Sequence, residues 1–119
     1  IKTGKVEKIT IKKESLLGGM SCDEVSLVPW KILKSSASYC VTISDKYISN
    51  TIKSLANCEF SDEKIIGGEC STPGIISLIG LCNNDEIVKK LNLNKKSNIL
   101  LFGCEGDADE ELYQKLLNS

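Results

Sequence analysis

Residues Ile99 to Glu110 read ILLFGCEGDADE. Ile99-Leu100-Leu101-Phe102 is a continuous apolar run with no polar alternation. Such a run is expected of a central parallel strand covered on both faces. Gly103-Cys104-Glu105-Gly106 then turns the chain. Asp107 followed by Glu110 makes a capping-box-like start for a last helix. That helix is expected to bury Leu112, Leu116 and Leu117.

Upstream, the same alternation of element types continues. Lys5 to Ile11 alternates well enough for a short strand, with Ile9 and Ile11 on one face. Leu17-Gly18-Gly19-Met20 breaks it. Asp23 or Ser26 caps a helix through Pro29, Trp30, Ile32 and Leu33. Tyr39-Cys40-Val41-Thr42-Ile43 is β-branched and aromatic, a strand pattern. Ser44 caps the next helix, whose apolar face is Ile48, Ile52, Leu55 and Ala56, and Asn57 ends it. Ile65-Ile66 reads as a small strand running into Gly67-Gly68-Glu69-Cys70-Ser71. Thr72-Pro73 is a helix start, a hydroxyl followed by proline at the first position. Ile75, Ile76, Leu78, Ile79 and Leu81 make that helix apolar nearly all round, so it is expected to be buried on most sides. Asn84 caps a short helix with Ile87, Val88 and Leu91. The order of elements predicts an α/β fold with a mostly parallel sheet, and residues 1–119 read as a single domain.

The bulk properties fit one soluble globular domain. The chain has 119 residues, 41% hydrophobic and 26% charged. Fifteen basic and 16 acidic residues leave a net charge of -1, which argues against a nucleic-acid partner. No apolar stretch approaches the ~20 residues that span a bilayer, so no membrane is expected. The segment Ile1 to Lys13 lacks the continuous apolar core of a signal peptide. The chain begins at Ile1 rather than Met, which predicts that something upstream has been removed. The compartment expected is the cytoplasm.

Six cysteines, Cys22, Cys40, Cys58, Cys70, Cys82 and Cys104, allow a disulfide framework by number. Without a secretory signal they are expected as reduced thiols. Cys40, Cys82 and Cys104 lie in or beside apolar runs, where packing is the ordinary role. None stands in a C-x-x-C pair and histidine is absent, so no metal site is expected. The lack of histidine also excludes serine-histidine and cysteine-histidine hydrolase chemistry within this chain.

In open α/β sheets, ligands bind beyond the carboxyl ends of the strands. Gly67-Gly68-Glu69-Cys70-Ser71 and Gly103-Cys104-Glu105-Gly106-Asp107 would serve that edge, each bringing backbone amides toward an anion at a helix start. Neither matches G-x-G-x-x-G or G-x-x-x-x-G-K-[ST]. Both are equally readable as tight turns, with Glu69, Glu105 and Asp107 as solvated carboxylates or caps.

Three segments together resemble one enzyme family. Gly19-Met20-Ser21-Cys22-Asp23-Glu24 with Pro29-Trp30-Lys31-Ile32-Leu33 resembles the A-G-L-x-C-G-E…W-x-I-L segment of diaminopropionate ammonia-lyases. Ile66-Gly67-Gly68-Glu69-Cys70-Ser71 with Gly74 resembles their S-G-E-S-G-A segment. Ile99 to Glu110 resembles L-x-x-x-T-E-G-D-T-D-P-E and is the most specific, because E-G-D-x-D follows an apolar run directly. The segments stand in family order. Asp23 replaces the family's glycine, Val25 its proline and Cys104 its threonine, and these departures touch the substrate more than the cofactor.

The resemblance covers nearly all of this chain but only the C-terminal third of such an enzyme. It implies part of the large domain of a fold type II pyridoxal-phosphate enzyme, a doubly wound three-layer α/β/α sheet. It implies a parent activity of α,β-elimination on 2,3-diaminopropionate or a related amino acid, giving pyruvate and ammonia. The family's cofactor-binding lysine and phosphate loop lie upstream of the matched region. No catalytic residue is therefore assigned here, and the chain alone is expected to be inactive. Carried over position by position, Cys104 would lie against the pyridine nitrogen of pyridoxal 5'-phosphate and Glu69 near the ring. Gly18, Gly19 and Cys22 would line the rim, while Glu105 and Asp107 shape the turn and cap the last helix. A sheet lacking its other strands would leave an open edge, so a homodimer is expected. The alternative is a free-standing α/β small-molecule-binding or regulatory module without catalysis.

Overall fold

The computed structural model of the chain describes residues 5–119. The chain divides into two compact units, Ile1–Val41 and Thr42–Ser119. The first holds a 3-10 turn at Gly18–Met20 and helix α1, Leu27–Ser36. Ser26 stands at the N-cap position of α1, but its side chain makes no capping hydrogen bond. The N-terminal stretch is tied down by Ile9 N–H donating to the Asp23 carbonyl at 3.0 Å. Lys8 pairs with Glu24 at 2.7 Å and with Asp23 at 3.4 Å.

The second unit carries α2 (Ile48–Ala56), α3 (Pro73–Cys82), α4 (Asp85–Lys90) and α5 (Glu110–Asn118). In α2, Ile48, Ile52 and Leu55 recur at helical spacing and are buried. Thr51 shares that face, and its hydroxyl donates to the Tyr47 carbonyl at 2.9 Å. Tyr113 and Leu116 of α5 are the buried residues of the last helix, and α5 packs on α2. Ser49 Oγ donates to the Leu116 carbonyl at 2.6 Å and Lys53 Nζ to that of Ser119, stitching the two helices at one end.

Helix ends follow local chemistry. Asn84 Oδ1 accepts from the N–H groups of Glu86 and Ile87, both at 3.1 Å, so α4 starts where the sequence places it. Asp85 and Glu86 lie in its first turn and Lys89 and Lys90 in its last, matching the helix dipole. Two left-handed residues close helices. Asn92 (φ 53°) follows α4, with Leu93 N–H donating to the Val88 carbonyl at 2.9 Å. Cys58 (φ 59°) follows α2, with Glu59 N–H donating to the Ser54 carbonyl at 3.0 Å. Both are Schellman closures, ordinarily the place of glycine or asparagine.

The expected parallel sheet does not form: among the described residues there is no strand. Lys5–Ile11, Tyr39–Ile43, Ile65–Ile66 and Ile99–Phe102 are all irregular. A strand exists only where a neighbour answers its backbone groups in register. Ile65 N–H goes instead to the Leu55 carbonyl at the end of α2, at 3.1 Å. Between the Ile65–Gly68 and Ile99–Glu105 stretches the backbone link is Gly68 N–H to the Glu105 carbonyl, 3.2 Å, one bond rather than a ladder.

Burial departs from expectation accordingly. Ile99, Leu100, Leu101 and Phe102 are exposed, Leu100 at 77% and Phe102 at 75%. In α3 the buried residue is Ile76, while Ile79 is exposed, so this apolar helix is not covered on most sides. Leu112 and Leu117 are only half-buried. The last helix starts at Asp109, whose Oδ1 accepts from Leu112 N–H at 2.9 Å, and not at Asp107. No disulfide joins the six cysteines among the described residues; Cys40, Cys82 and Cys104 are exposed rather than packed, and Cys70 is buried.

Candidate functional site

Two glycine-bearing turns meet in the second unit. Gly67-Gly68 leads into a 3-10 turn, Glu69–Ser71, which runs into α3 through Thr72 and Pro73. Thr72 is fully buried, and its hydroxyl donates back to the Glu69 carbonyl at 2.7 Å rather than capping forward. Ser71 Oγ donates to the Gly68 carbonyl at 2.7 Å. The turn thus satisfies its own polar groups before the helix begins.

The second turn locks onto the first through Glu105. Its carboxylate oxygen accepts from Cys70 N–H at 2.9 Å, while its backbone carbonyl accepts from Gly68 N–H at 3.2 Å. A Cβ on Gly68 would press on the Gly106 carbonyl oxygen and lie 3.0 Å from the Glu105 side chain. Only glycine permits this close approach of the two backbones.

Glu69, Cys70 and Glu105 therefore share one neighbourhood. Their carboxylate oxygens and the Cys70 sulfur lie within 4.8 Å of one another. Cys70 is buried and the two carboxylates are half-buried. Neither carboxylate forms an ion pair among the described residues. Beside the cluster opens a cavity of about 460 Å³. Ile66, Ile75, Leu78, Leu101 and Phe102 supply its apolar wall, with Ser71 and Glu105 as its polar contributions.

The residues carried over from the family resemblance are distributed unevenly. Glu69 belongs to the cluster and Cys104 lies exposed in the adjoining turn. Gly18 and Gly19 lie in the 3-10 turn of the first unit. Glu105 does shape the turn, whereas Asp107 caps nothing. Sequence reasoning missed Cys70, the one buried cysteine; its signal was its place between a glycine pair and the Thr72-Pro73 helix start.

These residues do not by themselves fit pyridoxal phosphate. No lysine or arginine lines the cavity, so nothing there could hold the cofactor covalently or pair with its phosphate. Their chemistry here is positional: Glu105 fixes the Gly67–Thr72 turn and with it the start of α3.

No protein-family profile matches the chain, and no solved structure does. Curated proteins do. The diaminopropionate ammonia-lyase of Escherichia coli (strain K12) is 26% identical over 106 residues, covering 87% of this chain and 27% of that protein. The protein of the same name from Escherichia coli O157:H7 gives the same figures. That of Salmonella typhimurium (strain LT2) is 24% identical over 118 residues, 96% of this chain and 29% of its own length. The chain thus spans little more than a quarter of the relatives it matches. Over nearly its whole length this chain is similar to diaminopropionate ammonia-lyases, the family its three motifs resemble.

Proposed function

We propose that this chain is part of a pyridoxal-phosphate-dependent ammonia-lyase. The substrate is 2,3-diaminopropionate or a closely related amino acid, and the reaction is α,β-elimination to pyruvate and ammonia. The observation that carries this is the similarity across 87–96% of the chain to proteins that share that one name. The cofactor would be held by the remaining part of such an enzyme and would supply there the electron sink for loss of the α-proton. The contribution of this chain is structural: Glu105 holds the turn that starts α3, and Glu69 and Cys104 flank it. The chain alone is inactive, because none of its lysines matches the family's cofactor-binding lysine. The exposed Leu100 and Phe102 support association of the chain into a homodimer.

The test uses pyruvate release from diaminopropionate in the presence of pyridoxal phosphate. The chain alone should release none. Joined to the remaining part of the Escherichia coli enzyme, in place of the matched residues, it should restore release. Activity of the chain alone would overturn its assignment as a non-catalytic part. A chimera that folds and binds cofactor but gives no pyruvate would overturn the family reading.

A further inference from the structure

A second cleft, away from the Glu69–Glu105 cluster, lies between α2 and α3. Its volume is about 310 Å³, within the range that small-molecule sites occupy. Tyr47 and Phe60 stand at its rim, each about half exposed (47% and 48%), and the buried Ile76 forms part of its floor. Asn50 and Asn83 also line it. Both asparagines are exposed and neither side chain forms a hydrogen bond among the described residues, so both amides can reach a molecule in the cleft.

Gly80 adds an independent signal. It sits within α3, where glycine weakens a helix relative to alanine. Packing does not require it: a Cβ at this position would meet no atom within 4 Å. Gly80 lines the cleft and is exposed. The glycine thus costs helix stability without a packing contact that requires it. No charged side chain lines the cleft. Lys46 lies over the Tyr47 ring, 4.7 Å from its centroid, which disfavours a cation beside the same ring.

We propose that this cleft binds a small, planar, uncharged heteroaromatic compound carrying an amide-type donor and acceptor. The rings of Tyr47 and Phe60 take its faces, and Asn50 and Asn83 take its polar edge. The two aromatic residues give the apolar contact such a compound needs. The amides give it orientation, and the absence of lining charge selects against ions.

Nicotinamide serves as the probe and toluene, which lacks the amide, as its comparison. Amide chemical shifts of the 119-residue chain are followed by NMR during titration. Nicotinamide should shift the side-chain amide signals of Asn50 and Asn83 saturably, and toluene should leave them in place. Gly80→Leu places a larger side chain, a good helix former, at the cleft and should weaken nicotinamide binding at least tenfold. If Gly80→Leu loses helical circular dichroism, Gly80→Ala takes its place: its methyl enters open space and should weaken binding several-fold with the helix intact. Asn83→Ala should weaken nicotinamide binding similarly. No shift at the cleft, or unchanged binding in the folded Gly80 variant, would overturn the site. An equal response to toluene would overturn the assigned ligand class.

Discussion

Helices α2 and α5 pack on each other and carry the buried Ile48, Ile52, Leu55, Tyr113 and Leu116, while the residues of the run Ile99–Phe102 are exposed. The run has the denser apolar content, yet the helices carry the burial. The difference is one of partnership. An amphipathic helix satisfies its own backbone and needs only one covering face. A continuous apolar run needs hydrogen-bonding neighbours on both edges and cover on both faces. Hydrophobicity decides what gains from burial; the supply of partners decides what is buried.

The strongest way to break this comparison is to cut into the packed pair. Ile52 is fully buried in α2. Ile52→Ala should cost about 2–5 kcal/mol. Urea denaturation followed by far-ultraviolet circular dichroism measures it. A loss below about 1 kcal/mol would mean that α2–α5 packing does not hold the unit together.

A next test concerns the clamp between the turns. Gly68→Ala sets a methyl against the Gly106 carbonyl, whereas a Cβ on Gly106 itself meets nothing within 4 Å. Gly68→Ala should destabilise by about 1–3 kcal/mol, as overpacking does, and Gly106→Ala by much less. Equal midpoints for the two variants in chemical denaturation would show that the close approach carries no energy.

What the sequence reveals tracks how local the deciding physics is. Asn84 marks a helix start because a cap acts within one turn, and its side chain caps α4; α3 starts at Pro73 as the sequence places it, but the Thr72 hydroxyl turns back to Glu69 instead of capping. The face of α2 is legible because neighbours three and four apart meet on a helix. Ile99–Phe102 looks like a strand for sound local reasons, but its partners would come from elsewhere, and no local pattern supplies them. The start of the last helix is different: Asp107 with Glu110 has the capping-box spacing, yet the backbone path makes Asp109 the cap, through Leu112 N–H. At the candidate site, Glu69 and Glu105 are visible in sequence, but their convergence depends on the Gly68–Glu105 approach. The α2–α3 cleft was not legible, since Tyr47, Asn50, Gly80 and Asn83 form no contiguous motif; Gly80 inside an apolar helix was the available hint.

Smaller effects sharpen the contrast between satisfied and unsatisfied positions. Cys58 holds a left-handed conformation that a β-carbon opposes. Cys58→Gly should stabilise by about 1 kcal/mol, read as a higher denaturation midpoint. Tyr113 carries a buried hydroxyl without a hydrogen-bond partner. Tyr113→Phe removes that cost and keeps the ring, so it should be neutral or stabilising by up to about 1 kcal/mol. A clear destabilisation by Tyr113→Phe would mean that the hydroxyl has a partner in solution, such as a bridging water.

The smallest change in stability should come from the exposed run, together with the clearest change in association. Leu100 and Phe102 are three-quarters exposed, so they contribute little to the fold of the single chain. The double substitution Leu100→Ser and Phe102→Ser should leave the unfolding free energy within about 0.5 kcal/mol, as surface changes usually do. If the same residues hold two copies together, the substitution removes the apolar area that drives association. Light scattering across a concentration series should then show the parent chain gaining mass with concentration and the double variant remaining monomeric. Denaturation of both at one dilute concentration separates the two roles, because a concentration-dependent midpoint belongs to association and not to the fold. A parent chain that stays monomeric throughout would sink the homodimer. A double variant that unfolds readily when dilute would instead place Leu100 and Phe102 in the core of the single chain, and remove the contrast with α2 and α5.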